Sequence, residues 1–196
     1  MTGIRERAAE FARGLDGLGA RPATLDRYVD LIAPGESQRM RQDMAKMSGC
    51  ALVAAGVWRA VGVPPPYRLE TAVSRLVAMG VEAGAMRRPK ADRLTSTLPL
   101  PGDVVWVGEG MGTHVFVAID VGLRNDMPVI FAADGGQRDD EGYQVVELKE
   151  HVWSTAGREV LDIARCLTPG KKWGPQRPVQ GWIDLETITA AFARAA

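Results

Sequence analysis

The sequence predicts an α+β protein. An N-terminal helical layer packs on an antiparallel sheet of about five to six strands, and a C-terminal helix follows. Three observations predict it. Apolar residues recur at helical spacing through roughly the first 85 residues. After Pro99-Leu100-Pro101-Gly102 the pattern changes to short Val-rich runs separated by closely spaced turns. From Asp184 the helical period returns, with Leu185, Ile188, Ala191 and Phe192 inward. A chain of 196 residues fills one sizeable core, so we read 1–196 as one domain. Its helical part covers about 1–85, its sheet part about 99–184 and its last helix about 184–195.

Taken in order, Ile4, Ala8, Phe11 and Leu15 share one face of a first helix. Pro22 and Thr24 open a second, with Leu25, Tyr28, Val29 and Ile32 inward. Gln38 to Met47 is a polar helical approach to the stretch at the centre of the layer, Ser48-Gly49-Cys50-Ala51-Leu52-Val53-Ala54-Ala55-Gly56-Val57-Trp58. There Cys50, Val53, Ala54, Val57, Trp58 and Val61 make an apolar stripe, and Gly62 with Pro64-Pro65-Pro66 stops the helix. A further helix runs from about Leu69 and ends at Gly80 and Gly84. Arg87 to Thr97 is polar and aperiodic, a surface loop.

Asp103 to Val107 is the first strand expected. In Thr113 to Val121, alternation puts Val115, Val117, Ile119 and Val121 on one face and His114, Phe116, Ala118 and Asp120 on the other. Pro128 to Asp134 is the next strand, with Gly135-Gly136-Gln137 following as a turn. Tyr143 to Leu148, Glu159 to Ala164 and Gln180 to Ile183 complete the sheet, and Asp184 caps the final helix.

Lys plus Arg equals Asp plus Glu at 24 each, so bulk charge gives no support for a nucleic-acid partner. No apolar run reaches the roughly 18 residues of a membrane span, and the charged N-terminus has no signal-peptide core. The expectation is synthesis in the cytoplasm, with non-classical export or a phage particle as the open routes outside; an export or immunity partner is not specified. Two cysteines, Cys50 and Cys166, and two histidines, His114 and His151, form no zinc-spaced cluster. No cofactor is expected. Gly108 to Gly112 lacks a P-loop Lys-Ser/Thr.

A thiol in the first turn of a helix meets unpaired N–H groups and the positive dipole end, both of which favour thiolate. Cys50 is therefore a candidate nucleophile, although free cysteine on an apolar stripe also fills cores. His114 is the candidate base, or a strand histidine that bonds a loop. Asp134 is the candidate that orients the imidazole, or a residue that begins the Gly-Gly turn. Gln137 reads as a turn residue or substrate contact. Asp103 stabilises the Pro-Gly turn, His151 is structural or at the surface, Cys166 ends a strand, and the tryptophans fill core. Tyr67 edges the cleft.

Ser48-Gly49-Cys50-Ala51-Leu52 resembles the nucleophile helix of the papain-like cell-wall amidases and peptidases, the NlpC and CHAP groups. Leu100-Pro101-Gly102-Asp103-Val104-Val105 and Thr113-His114-Val115-Phe116-Val117-Ala118-Ile119 resemble their strand pair, in which the catalytic histidine begins the second strand. The resemblance runs from about Ser48 to Gln137. Gly49 and Ala51 stand where many relatives carry an acidic or aromatic residue and a serine. The resemblance implies a papain-like fold and a thiol-dependent hydrolase of peptidoglycan or another peptide substrate. Cys50, His114 and Asp134 would be catalytic, with Gln137, Tyr67 and Ser48 secondary. A papain-like module without activity, such as a phage component, is the alternative, and a cysteine toxin or deamidase acting on protein is a third.

Overall fold

The computed structural model of the chain describes residues 3–37, 39, 43, 49–64, 72–89, 98–110, 113–124, 127–153, 159–162 and 177–195. The described fold is α+β. The helices among these residues are α1 (Ile4–Arg13), α2 (Leu25–Ile32), α3 (Gly49–Ala60), α4 (Val73–Glu82) and α5 (Leu185–Ala195). The strands are β1 (Met86–Arg87), β2 (Val104–Val107), β3 (His114–Arg124), β4 (Met127–Arg138), β5 (Gln144–Trp153), β6 (Glu159–Asp162) and β7 (Arg177–Ile183). They form one antiparallel sheet in the order β1-β7-β2-β3-β4-β5-β6. Six strands match the expected set. The two-residue β1 is an addition that sequence pattern does not mark. Glu159 and Val160 of β6 also pair with Pro178 and Arg177, which bends the far edge of the sheet back toward β7.

Two apolar clusters fill the two faces. One joins α1–α5 to Val104, Val115, Val117, Ile119, Ala133 and Val146. The other holds Val105, Val107, Phe116, Ala118, Ile130, Ala132, Val179 and Trp182. Alternation along β2 and β3 feeds both clusters, as period-two side chains must.

Several expectations change. Val121 packs with the second cluster, not with Val115, Val117 and Ile119. The register of β3 against β4 shifts between Ala118 and Asp120, and such a bulge exchanges the faces beyond it. The α3 helix is buried on all sides from Gly49 to Trp58 rather than along one stripe, because the sheet lies on one side and α1, α2 and α4 on the others. Gly80 does not end α4. A Cβ there would lie 2.8 Å from Ile183, so the glycine lets the helix settle on β7. The β4 strand continues through Gly135 and Gly136 to Arg138, where a turn was expected.

Asp184 caps α5, accepting from the Thr187 N–H at 2.7 Å. Asp103 does more than hold its turn. It is 1% exposed, and its Oδ2 accepts from Leu100 N–H at 2.9 Å. Its Oδ1 accepts from Leu185 N–H at 3.0 Å and from Arg5 Nη1 at 2.6 Å. Arg5 Nη2 reaches Asp184 at 2.8 Å. One guanidinium thus ties α1 to the Pro-Gly turn and to the start of α5.

Most of 38–48, with Ser48, lies outside the described residues, as do Tyr67, Leu69 and Cys166.

Candidate active site

Cys50 is the second residue of α3 and is 4% exposed. This end of the helix can lie close against β4 because of a glycine pair on that strand. A Cβ on Gly135 would fall 2.6 Å from Val53 Cγ2 and 2.8 Å from the Gly49 carbonyl. Gly136 has φ +77°, a left-handed conformation that glycine adopts without strain. The register of β4 against β5 shifts here, between Asp134 and Gln137. This bulge lies where Gly49 and Val53 of α3 meet Gly135 and Gly136, and bulges commonly re-aim the side chains around them.

The structure brings Cys50, His114 and Asp134 into one line. His114, the first residue of β3, donates from Nε2 to Asp134 Oδ1 at 2.5 Å. Its ring also hydrogen-bonds Cys50. With Nε2 committed to Asp134, Nδ1 is the nitrogen left for the thiol. Burial opposes a charge on the His114 ring, but the bonds to Asp134 and Cys50 outweigh burial and raise its pKa to about 9. Burial likewise opposes ionisation of Asp134, which is 3% exposed, yet its imidazole neighbours hold it well below the usual carboxylate range. At neutral pH the pair is imidazolium and carboxylate.

Gln137 joins the same network. Its Nε2 donates to Asp134 Oδ1 at 2.7 Å, and its Oε1 accepts from Lys149 Nζ at 2.6 Å. Lys149 also pairs with Glu147 at 2.9 Å. Of the two candidates, Asp134 touches His114 and Gln137 touches Asp134.

Two residues near the site escape sequence reasoning. His151 is buried against this cluster rather than at the surface. Its ring stacks on Phe116 with centroids 4.2 Å apart, and its Nε2 lies 3.3 Å from Asp134 Oδ2, out of line for a good hydrogen bond. Register places His151 opposite Ile130, so nothing in local sequence ties it to Asp134. Tyr28, read as a helix-face residue, points its hydroxyl at the start of α3, 3.3 Å from where a Gly49 Cβ would stand. Burial and the adjacent Cys50 raise its pKa, so the phenol keeps its proton as a donor.

Among the described residues no three His, Cys, Asp or Glu side chains cluster to hold a metal ion, and no helix is long and apolar enough to cross a membrane. A cavity of about 730 Å³ lies at the β1–β7 edge, lined by Met86, Arg87, Leu98 and Trp182 among others, and none of the Cys50 cluster borders it. Comparison of the chain with family models, curated proteins and solved structures finds no match.

Proposed function

We propose that the protein is a cysteine-dependent amide hydrolase of papain-like type. The observation behind this is the hydrogen-bonded line Cys50–His114–Asp134, with the sulfur on the second residue of α3. Each part has a defined task in acyl transfer. The helix terminus and the His114 imidazolium favour the Cys50 thiolate, which attacks the amide carbonyl. The Cys50 backbone N–H is the natural first donor to the oxyanion. His114 then gives its proton to the leaving amine and an acyl-enzyme remains. Water attacks that thioester while His114 accepts a proton, and Cys50 is released. Asp134 holds the imidazole tautomer and balances its charge.

Peptidoglycan stem peptide, or the amide that joins it to sugar, is the substrate class, and it rests on the sequence resemblance alone. The test is a panel of muropeptides and protein substrates incubated with wild type and with Cys50→Ala. Cleavage of a muropeptide that vanishes in Cys50→Ala supports the proposal. Equal cleavage by both proteins overturns it.

One observation favours a second reading, a module that binds without catalysis: Cys50 is only 4% exposed. Alkylation of Cys50 followed against pH separates the two. A nucleophile titrates well below the free thiol value of about 8.5, whereas a sealed core cysteine reacts slowly at every pH.

A further inference from the structure

Asp134 is a buried carboxylate whose two oxygens are treated differently. Oδ1 receives two donors, His114 Nε2 and Gln137 Nε2. Toward Oδ2 comes the ring of His151, with Nε2 at 3.3 Å. A buried carboxylate remains ionised through its charged partner and hydrogen bonds, and each further donor facing it helps. His151 is 5% exposed, and its Nε2 has no hydrogen-bond partner among the described residues. That ring does not wander. It lies flat against Phe116, 8° from parallel, and Phe116 is itself 1% exposed and two residues after His114 on the same strand. Phe116 therefore links the two histidines mechanically: one strand carries the base and the platform that fixes the second imidazole.

We infer that His151 is a positioning residue of the candidate active site. It stands on the Oδ2 side of Asp134 with Nε2 presented at 3.3 Å, and its stacked ring holds the carboxylate so that Oδ1 stays aligned with His114. The inference rests on the hydrolase reading for its purpose, but not for its physical content. The charged groups facing the cluster are Asp134 and His114, with Lys149 and Glu147 one step away through Gln137.

The test compares full-length wild type with His151→Phe, which keeps the stack but removes the donor, and with His151→Gln, which restores a donor. The chain has two histidines, so the ring resonances of His151→Phe belong to His114 alone and its titration is read directly by NMR. Cys50 alkylation at neutral pH is followed in parallel by peptide mass spectrometry, which separates Cys50 from Cys166. The inference expects the His114 midpoint in His151→Phe to fall by about one pH unit and Cys50 alkylation to slow about tenfold. His151→Gln recovers most of both. If His151→Phe does not fold, His151→Met takes its place, being apolar and pliable. Wild-type midpoint and alkylation rate in the apolar variant overturn the inference. So does a His151→Gln that melts like wild type and recovers neither. The two proposals fail separately. A His114 that follows His151 in a protein that cleaves no muropeptide keeps the positioning role and removes the hydrolase, and cleavage with an indifferent His114 does the reverse.

Discussion

Two aspartates among the described residues are almost wholly buried, and they are held in different ways. Asp103 is surrounded by groups whose charge does not change near neutral pH: the Arg5 guanidinium and the amides of Leu100 and Leu185. Its partners come from the first helix, its own turn and the last helix, so it acts as a fastening. Asp134 is flanked by two imidazoles and a glutamine. Imidazole is the side chain that changes charge near neutrality. The same side chain at nearly the same depth thus sits among fixed charges in one place and beside imidazoles in the other.

The sharpest way to break this contrast is to neutralise each carboxylate in turn. Asp134→Asn leaves the shape intact but removes the charge and favours the wrong imidazole tautomer. We expect kcat on a cleavable muropeptide to fall about 10⁴-fold and stability to drop by up to about 3 kcal/mol as the buried ion pair is lost, and a fall in kcat below tenfold in steady-state assays would contradict the contrast. Asp103→Ala leaves Arg5 without its buried partner. Urea unfolding should show a loss of about 3 kcal/mol, the lower end for a broken buried pair because Arg5 keeps some contact with water. The His114 titration in the folded variant should not move. If it does, the two sites are one network and the comparison fails.

The pH dependence sharpens the same point. His114 is raised from 6.5 to about 9 on folding, so its pairing stabilises the protein fully below pH 6.5, and that contribution disappears as pH rises through 9. The shift corresponds to about 3 kcal/mol at most. The difference in unfolding free energy between wild type and His114→Gln should shrink across pH 7 to 10, and a constant difference would deny the ion pair. Asp134, lowered on folding, contributes stability above about pH 4 that is lost as the solution becomes more acid.

The smallest effect concerns the seat of the helix. Gly135→Ala forces a methyl group against Val53 and the Gly49 carbonyl and should cost about 1–3 kcal/mol. It should also slow Cys50 alkylation by shifting the start of α3. Gly122→Ala, on the neighbouring strand with open space around it, is the control and should change stability by less than about 0.5 kcal/mol. Equal effects of the two alanines would mean that the bulge does not position the sulfur.

Much of this arrangement is legible in the chain itself. The helix that carries Cys50 follows from a turn-prone glycine ahead of an apolar run, and β3 follows from strict alternation. Asp134 stands out as an acidic residue on an expected strand beside two glycines, although β4 runs on past it to Arg138. These are local signals. The bulge at Gly135-Gly136 is not legible, because a glycine pair after a strand signals a turn equally well, and only the pressure of α3 against it selects the bulge. The place of His151 depends on the register of β5 against β4, and one residue of slip would turn it to the opposite face. The second role of Asp103 depends on Arg5, 98 residues away, which no periodicity can report. The β1 strand is too short to leave a pattern.

The position of β7 has a consequence for how the chain comes into being. The segment synthesised last among the strands lies between β1 and β2, so a nascent chain whose helices and first hairpins have emerged still carries an uncovered edge on β2. Until β7 docks, that gap stays open. In the interval β2 offers bare amides and carbonyls to any extended segment nearby.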